Sequence, residues 1–268
     1  PQQVDAHGTI VSMKIARFSS ASGGDPRYGI LDGTDLVVLA GDPLFTGFET
    51  LDERVPITEV RLLAPVIPRS KVIAIGRNYA AHAEEFANEV PEEPMMFLKP
   101  NTSVIGPGDA IVLPKQSEHV DFEGELAVVI GSVARNVPAA DAASVIFGYT
   151  IGNDVSARDL QKRDGQWGRA KGFDTFCPLG PIIQTELDLA TETIESRLNG
   201  DVRQSAPFTE LVHGIPELVA FASSVFTLLP GDVILTGTPA GVAQLADGDT
   251  IEISVPGIGT LRNPVRAA

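Results

Sequence analysis

Acidic residues at every second position are the first chemical signal in this chain. Asp121, Glu123 and Glu125 stand in the stretch DFEGELAVVIG, directly before an apolar run. On a β-strand, side chains at alternate positions share one face, so three carboxylates would repel one another unless a cation lies among them. Oxygen ligands select hard divalent cations such as Mg²⁺, Mn²⁺ and Ca²⁺. The spacing therefore favours a metal site, although a solvated strand edge can have the same pattern.

Two carboxylates do not make a metal site, so a third ligand must come from another segment. Asp154, in GYTIGNDVSARD, follows an apolar strand and begins a loop, which makes it the natural candidate. The unbroken apolar run after Glu125 supports a buried position, because a solvated strand face would continue to alternate with polar residues. Glu123, Glu125 and Asp154 are therefore the ligands that the pattern favours.

A histidine and a glutamate at helical spacing offer acid–base chemistry. His82 and Glu85 lie three residues apart in GRNYAAHAEE, so they would share one face of a short helix. An unperturbed histidine pKa of ~6.5 suits a general base that activates water, and a carboxylate can orient its ring. A surface position on an Ala-rich helix is the alternative. His7, His119 and His213 lack such a context and are interpreted as structural or solvated, with His119 a distant candidate for supporting the acids.

The overall composition limits the class of protein. The 268 residues are 43% hydrophobic and 21% charged, which allows a proper core, and the formal charge of −15 argues against binding to nucleic acid or an anionic membrane. Cys177 is the single cysteine, so no intrachain disulfide can form. No apolar run approaches the ~20 residues of a membrane span, and no secretory signal pattern is present. The expected location is the cytoplasm.

Short strands and turns must position these residues. Residues 1–12 are interpreted as a leader or cloning remnant, residues 13–68 as a small N-terminal β-rich domain, and residues 69–268 as the main domain. In the N-terminal unit the turn DGTD separates two apolar runs and predicts a hairpin. In the main domain we expect a helix near residues 215–228 and a loop at KRDGQWGRAKGFD. With 26 Gly and 20 Pro, the predicted class is a β-rich α+β fold with few short helices.

Six segments, in order along the chain, resemble the signature segments of the fumarylacetoacetate hydrolase family. They are IAIGRNYAAHAEE, PMMFLKPNTSVIGPGDAIVLP, VDFEGELAVVIG, GYTIGNDVSARDLQ, AKGFDTFCPLGPII and GDVILTGTPAGV. The resemblance covers about residues 71–262 and implies the mixed β-roll of that family, with a small N-terminal accessory domain. It also implies a small-molecule oxo-acid substrate, a homodimer, and one Mg²⁺ or Mn²⁺ per subunit.

The same resemblance implies roles for individual residues. The implied metal ligands are Glu123, Glu125 and Asp154. The implied substrate-binding residues are Arg77, Arg158, Gln161 and Thr238. His82 and Glu85 match the dyad that activates water, and Lys171 matches the lysine that stabilises negative charge on the substrate. Asp121 matches no assigned position, so we expect it to have a hydrogen-bonding or supporting role.

Three functions remain open from the sequence. The first is a hydrolase that cleaves a C–C bond in 2,4-dioxo acids, such as fumarylpyruvate or acetylpyruvate, through a metal-bound enolate. The His82–Glu85 pair favours it, because attack by water needs a base. The second is an isomerase of 2-hydroxyhepta-2,4-diene-1,7-dioate, or an oxaloacetate decarboxylase, acting on the same chelating head group. The third, a non-catalytic binding protein of the same fold, is disfavoured because none of the residues carried over from the family pattern is lost.

Overall fold

The structure is a computed structural model that describes residues 12–85 and 89–268. The predicted leader, residues 1–12, lies outside the described residues except for Ser12. Within these ranges most of the regular structure is β-strand, the helices are short, and the sheets contain both antiparallel and parallel pairs. The predicted β-rich class with few short helices is therefore confirmed.

The bounds of the elements follow the chain. The strands are β1 (Lys14–Ser20), β2 (Arg27–Asp32), β3 (Asp35–Leu39), β4 (Thr50–Pro56), β5 (Val60–Leu63), β6 (Val72–Gly76), β7 (Met95–Lys99), β8 (Val104–Ile105), β9 (Ile111–Leu113), β10 (Val120–Phe122), β11 (Gly124–Ile130), β12 (Ile146–Asn153), β13 (Ser156–Ala157), β14 (Cys177–Gln184), β15 (Thr193–Leu198), β16 (Asp201–Pro207), β17 (Val233–Leu235), β18 (Ala243–Gln244), β19 (Thr250–Val255) and β20 (Gly259–Ala267). The α-helices are α1 (Pro43–Thr46), α2 (Ala80–Glu85), α3 (Arg158–Asp164), α4 (Gly168–Lys171) and α5 (Ile215–Val225). Short 3₁₀ helices lie at Ile57–Glu59, Asn101–Ser103, Ala139–Val145 and Phe208–Glu210.

The largest sheet of the described residues has twelve strands and joins the N-terminal unit to the rest of the chain. Its order is β4-β3-β2-β1-β14-β12-β11-β17-β6-β7, with β5 beside β1 and β8 beside β14. The junction is the antiparallel pair of β1 with β14, in which Lys14 lies opposite Gln184. The N-terminal strands therefore extend the main sheet.

The strand β11 lies in the interior of this sheet, between β12 and β17, and it is buried along its whole length. Its apolar residues Leu126 to Ile130 have no solvent exposure. A five-stranded sheet (β16-β15-β19-β20-β9) and a three-stranded sheet (β13-β10-β18) complete the strands of the described ranges. At Gly124 the five-stranded sheet approaches so closely that a Cβ atom would overlap the Ser196 hydroxyl. A rigid, buried strand thus leads directly into the acidic stretch.

The local predictions have different outcomes. The predicted hairpin at DGTD is confirmed, since β2 and β3 pair up to Asp32 and Asp35 and Gly33 adopts a positive φ of 63° in the turn. The helix expected near residues 215–228 is α5. Of the described helices, none combines the length and apolar character that crossing a membrane requires.

The prediction of a loop at KRDGQWGRAKGFD is wrong, because more than half of that stretch lies in α3 and α4. The charged composition hides the helical pattern, since α3 buries a single apolar side chain, Leu160, and most of its charged residues are exposed. Gly165, at φ 70°, ends α3 in the left-handed region that glycine tolerates. In α4, by contrast, Ala170 and Lys171 are both buried.

Candidate active site

The acidic stretch is divided between two sheets at Glu123. β10, which carries Asp121, pairs with β13 and β18, whereas β11 pairs with β12 and β17. The Glu123 backbone N–H donates to the Asn153 side chain at 2.9 Å, and the Asp154 N–H donates to the Glu123 carbonyl at 2.9 Å. These bonds fix Glu123 and Asp154 side by side where β12 ends.

The three carboxylates predicted as metal ligands lie together and are buried. One oxygen from each of Glu123, Glu125 and Asp154 lies within 4.8 Å of the others. Their exposed fractions are 4%, 1% and 1%. Three buried like charges need positive charge nearby, because the protein interior screens charges weakly.

Lys171 and Arg158 supply part of that positive charge. The Lys171 ammonium donates to Glu123 Oε2 at 2.6 Å and to Asp154 Oδ2 at 2.7 Å, and Arg158 Nη2 lies 2.6 Å from Glu123 Oε1. Burial would raise the pKa of Glu123, but the charges of Arg158 and Lys171 outweigh it and lower that pKa. Burial would likewise lower the pKa of Lys171, yet Asp154 and Glu123 raise it. Glu123 and Lys171 are therefore both ionised.

Glu125 lies in a different electrostatic environment. Its Oε2 accepts a hydrogen bond from the Gly237 N–H at 2.7 Å. Burial, followed by repulsion from Asp154 and Glu123, raises its pKa well above the usual range. A divalent cation among the three acids would remove that repulsion, and carboxylate oxygens are the ligands that Mg²⁺ and Mn²⁺ prefer. The donor set therefore fits a hard divalent cation.

Lys99, at the end of β7, is a functional residue that the sequence analysis missed. Its side chain is fully buried, and its ammonium contacts Asp154 Oδ1 and the Lys171 carbonyl. It thereby ties Asp154 to α4. The available signal was a lysine ending the apolar strand MMFLK, inside one of the family-like segments.

The structure brings His82 and Glu85 together, as their spacing predicts. His82 Nδ1 lies 3.1 Å from Glu85 Oε2, while Nε2 lies 3.9 Å from Glu123 Oε1. Glu85 also accepts a hydrogen bond from the Gly241 N–H at 3.2 Å. A carboxylate accepts from the protonated ring nitrogen, so Glu85 assigns the proton to Nδ1 and leaves Nε2 as the basic atom facing the acids.

Asp121 holds Arg158 in place. Arg158 Nε donates to Asp121 Oδ2 at 2.7 Å, and Nη1 donates to Gln161 Oε1 at 3.1 Å. The other oxygen of Asp121 lies 2.9 Å from His119 Nε2. Burial would lower the pKa of Arg158, but Glu123 and Asp121 raise it, so the guanidinium stays charged. Asp121 is thus linked to Glu123 through Arg158.

A cavity of about 530 Å³ opens beside these groups. Its lining residues are Ile75, Gly76, Arg77, His82, Glu123, Glu125, Arg158, Gln161, Lys162, Trp167, Lys171 and Thr238. Every predicted site residue is in this lining except Glu85 and Asp154, which are bonded to the lining residues His82 and Lys171. The acids, the base and several cations therefore face one shared space.

Thr238 lines the cavity, but its hydroxyl is already engaged. It donates to the Gly124 carbonyl at 2.8 Å and accepts from Gln204 Nε2 at 2.7 Å. Gln204, which is 1% exposed, also accepts from the Gly124 N–H at 3.1 Å. In this conformation the Thr238 hydroxyl proton is therefore not available to a substrate carboxylate. Gln204 is not predictable from the sequence, because its segment carries no local signal.

Trp167, in the turn directly before α4, forms an aromatic wall of the cavity. Its ring meets Phe97 edge to face, with the centroids 5.1 Å apart, and the Lys171 ammonium lies 5.1 Å from the Phe97 centroid. Gly76 has no room for a side chain, because a Cβ atom there would lie 2.9 Å from Trp167. The next residue, Arg77, holds a left-handed φ of 60° at the cavity wall. Such strain in a non-glycine residue is frequent at functional sites.

The chain is similar in sequence to known protein families over most of its length. A family model described as the C-terminal domain of fumarylacetoacetate (FAA) hydrolase matches residues 71–266, and an Rv2993c-like N-terminal model matches residues 13–65. The chain is 54% identical to Protein Rv2993c of Mycobacterium tuberculosis, over 84% of each chain. It is 41% identical to the mitochondrial oxaloacetate tautomerase Fahd2a of Rattus norvegicus, over 79% of this chain and 71% of that protein.

Solved structures share the whole fold. A 5-carboxymethyl-2-hydroxymuconate delta-isomerase from Mycobacterium smegmatis superimposes with a TM-score of 0.87 at 51% identity, over 96% of this chain and 100% of that chain. A maleylpyruvate hydrolase from Sphingobium sp. SYK-6, solved with manganese(II) and pyruvate, has a TM-score of 0.80 at 34% identity over the same shares. Proteins with this fold are thus named both as isomerases and as hydrolases.

Proposed function

The chain belongs to the fumarylacetoacetate hydrolase family, and from this premise we propose that it is a divalent-metal-dependent hydrolase cleaving a C–C bond in 2,4-dioxo acids. The substrates would be acylpyruvates such as fumarylpyruvate or acetylpyruvate. The observation that carries the proposal is the His82–Glu85 pair, in which the Nε2 atom of His82 lies 3.9 Å from Glu123 Oε1 at the cavity wall. Hydrolysis needs a base at this position to activate water.

Glu123, Glu125 and Asp154 would hold the cation, which we propose to be Mg²⁺ or Mn²⁺. Once bound, the ion would supply Lewis-acid polarisation of the substrate's 2-oxo group and compensate negative charge. The manganese(II) and pyruvate in the maleylpyruvate hydrolase structure support this assignment by analogy. Calorimetry with each ion would determine which of the two binds more tightly.

The chain's own residues account for the proton transfers. His82 Nε2 takes a proton from water, and Glu85 stabilises the resulting imidazolium through Nδ1. The hydroxide attacks the 4-carbonyl, and the C3–C4 bond breaks with its electron pair left on C3 as the enolate of pyruvate. The proton held on His82 then returns to C3, which gives pyruvate and the second carboxylic acid. Lys171 places a positive charge where the enolate charge develops.

We propose substrate contacts for the other predicted residues. Arg77 and Gln161 line the same cavity and are available to the substrate's oxygens, and Arg158 presents its charge beside Glu123. Thr238 would contribute through the backbone N–H groups around it, because its hydroxyl proton is donated to Gly124. Lys162 adds a further cation to the lining.

An isomerase or tautomerase is the second candidate. The 51% identical delta-isomerase and the 41% identical oxaloacetate tautomerase favour it. Here His82 would move a proton between carbon and oxygen of the same 2-oxo acid, and no water would attack. Decarboxylation of oxaloacetate would also need the chelating acids but no attacking water.

Product analysis distinguishes these reactions. We expect pyruvate release from acetylpyruvate or fumarylpyruvate, loss of that release with EDTA, and recovery with Mg²⁺ or Mn²⁺. Isomerisation of 2-hydroxyhepta-2,4-diene-1,7-dioate or tautomerisation of oxaloacetate, without pyruvate release from the acylpyruvates, would establish the second candidate instead. Full activity in EDTA would contradict the metal requirement of both.

Variants of α2 test the base. We expect His82→Ala to lower kcat for hydrolysis by about 10²–10⁴-fold, the usual contribution of general base catalysis. Glu85→Gln should lower kcat too, because the amide cannot stabilise the imidazolium. The matched control is Glu84→Gln, an exposed neighbour on the same helix, which should retain full activity. Normal hydrolysis by His82→Ala would remove the proposed role of the dyad.

A further inference from the structure

A second cavity, of about 340 Å³, lies where the N-terminal unit meets the rest of the chain. Its walls come from β1, β2, the α1 segment, the connection at residues 66–69 and the turn Pro230–Gly231. It shares no lining residue with the active-site cavity in the described part of the chain. The residues matched by the two family models, 13–65 and 71–266, both contribute to it.

Two arginines, Arg17 and Arg69, line this cavity, and few of their N–H groups are hydrogen-bonded within the described residues. Among the described residues, the Arg17 guanidinium makes one hydrogen bond, from Nη1 to the Ala64 carbonyl at a long 3.4 Å. Arg69 lies over the Phe45 ring, 4.0 Å from its centroid, and its Nη2 is 4.0 Å from Asp42 Oδ2. Each guanidinium has five N–H donors, so most of them remain available to a ligand.

The one carboxylate in the lining is engaged by the protein. Asp42 Oδ1 accepts from the Leu44 N–H at 3.1 Å, and Oδ2 accepts from the Tyr28 hydroxyl at 3.2 Å. Burial and Asp42 raise the pKa of Tyr28 to about 12, while the charges of Arg17 and Arg69 oppose the rise. The lining thus holds two guanidinium groups and one carboxylate, so it carries a net positive charge in a chain whose formal charge is −15.

The remaining wall is apolar and partly open to solvent. Leu44 and Val66 form its inner part, while Phe45 and Ile67 are 48% and 50% exposed. Large apolar side chains exposed beside a net positive charge suit a ligand that is itself anionic at one end and apolar at the other. A cavity of this volume is at the small end of ligand sites, so the ligand must be small.

We propose that this cavity binds a small carboxylic acid with an aryl or alkyl body. The carboxylate lies between Arg17 and Arg69, which can each donate two parallel N–H groups to it. The body packs against Phe45 and Ile67. Because both units of the chain contribute walls, the bound acid stabilises their junction.

A titration of the full-length protein with 4-fluorobenzoate, followed by ¹⁹F NMR, tests this site. We expect saturable binding that weakens at least about tenfold in Arg17→Met and in Arg69→Gln, as expected for loss of a charge-assisted pair. 4-Fluorobenzamide, the neutral analogue, should bind at least about tenfold more weakly than 4-fluorobenzoate. Because the Arg69 side chain is 66% exposed, Arg69→Gln keeps the test valid even where Arg17→Met fails to fold.

Two control variants separate this cavity from other arginines. Arg54→Gln removes an exposed arginine of the same N-terminal unit, and Arg77→Gln removes one from the active-site cavity. Both should bind 4-fluorobenzoate like the unmodified protein. The proposal is overturned by an absence of saturable binding, by equal affinity for 4-fluorobenzamide, by displacement with inorganic phosphate at the same affinity, or by loss of binding in Arg77→Gln.

Discussion

Asp121 and the proposed ligand Glu123 share the guanidinium of Arg158, at 2.7 Å from Nε and 2.6 Å from Nη2. Asparagine at position 121 has the same shape but no charge, so the guanidinium would neutralise Glu123 more strongly and compete with a cation there. We expect Asp121→Asn to weaken Mn²⁺ binding about tenfold, the usual effect of removing a group that supports a ligand. Isothermal titration calorimetry measures this affinity.

The control for this variant is His119→Gln. His119 contacts the other oxygen of Asp121, but its side chain is 50% exposed, and a contact in water contributes little. Mn²⁺ affinity should therefore stay close to that of the unmodified protein. If Asp121→Asn bound Mn²⁺ equally well, Asp121 would have no influence on the acids through Arg158.

Substitution of Glu123 tests the proposed metal site directly. Glu123→Gln removes a charged ligand while keeping its size, and we expect Mn²⁺ affinity to fall by more than the about tenfold loss expected for Asp121→Asn. The exposed acid Glu118 lies five residues earlier, and Glu118→Gln should leave the affinity unchanged. Equal affinities in the two variants would exclude Glu123 as a ligand.

Residue types and spacing predicted two of the acids and the dyad because these pairs lie close together in sequence, whereas Asp154 was predicted from its position after an apolar strand. Glu123 and Glu125 are two positions apart, and His82 and Glu85 are three. Lys99 was marked only by its place at the end of the apolar strand MMFLK. Gln204 reaches the site through contacts between distant segments, so no local pattern marks it. Asp121 lacked a predicted partner for the same reason, since Arg158 is 37 positions away.

At the scale of elements, the glycine between the two proposed ligands explains how β11 packs. A Cβ atom at Gly124 would overlap the Ser196 hydroxyl on β15 and lie 3.0 Å from Gln204 Oε1 on β16. Glycine at this position therefore lets the five-stranded sheet approach the backbone of the ligand strand. The same approach allows Gln204 to reach Gly124 and Thr238.

We expect Gly124→Ala to destabilise the protein by about 1–3 kcal/mol, the usual cost of overpacking a core. Urea unfolding followed by circular dichroism measures the free energy of unfolding. Gly168→Ala is the matched control, because a Cβ atom there meets no atom within 4 Å, and it should be nearly neutral. An unchanged free energy for Gly124→Ala would show that the two sheets can separate without cost.

Predictions of elements succeeded where hydrophobic periodicity was strong. The β2–β3 hairpin and α5 have clear apolar patterns and turn residues. The helices α3 and α4 were not predicted, because they are only seven and four residues long and are rich in charged residues. Helices this short are stabilised by tertiary contacts rather than by local sequence. The division between β10 and β11 was also hidden, since the sequence alternates smoothly through Glu123.

At the scale of the whole molecule, the main sheet connects segments that are far apart in sequence. Lys14 on β1 pairs with Gln184 on β14, and β14 pairs in turn with β12, which ends beside the three buried acids. Local patterns predict that strands exist but not which distant strands pair. The N-terminal unit was therefore predictable from the sequence, but the continuation of its strands into the sheet of the main domain was not.

Cys177, at the start of β14, reports on the opening of this sheet. It is fully buried, and burial raises the pKa of its thiol to about 12 from an ordinary 9.0. A raised thiol pKa contributes stability that is complete below pH 9 and is lost as the pH rises towards 12. At pH 8 the thiol is protonated and enclosed, so it can react only when β14 is exposed.

We therefore expect the thiol reagent DTNB to label Cys177 very slowly in the native protein at pH 8. The labelling rate should rise with urea in parallel with loss of the circular dichroism signal, because both follow opening of the main sheet. Cys177→Ala should give no labelling, which assigns the signal to this thiol. Rapid labelling without denaturant would show that β14 opens locally, and the twelve-stranded sheet would then not unfold as one cooperative unit.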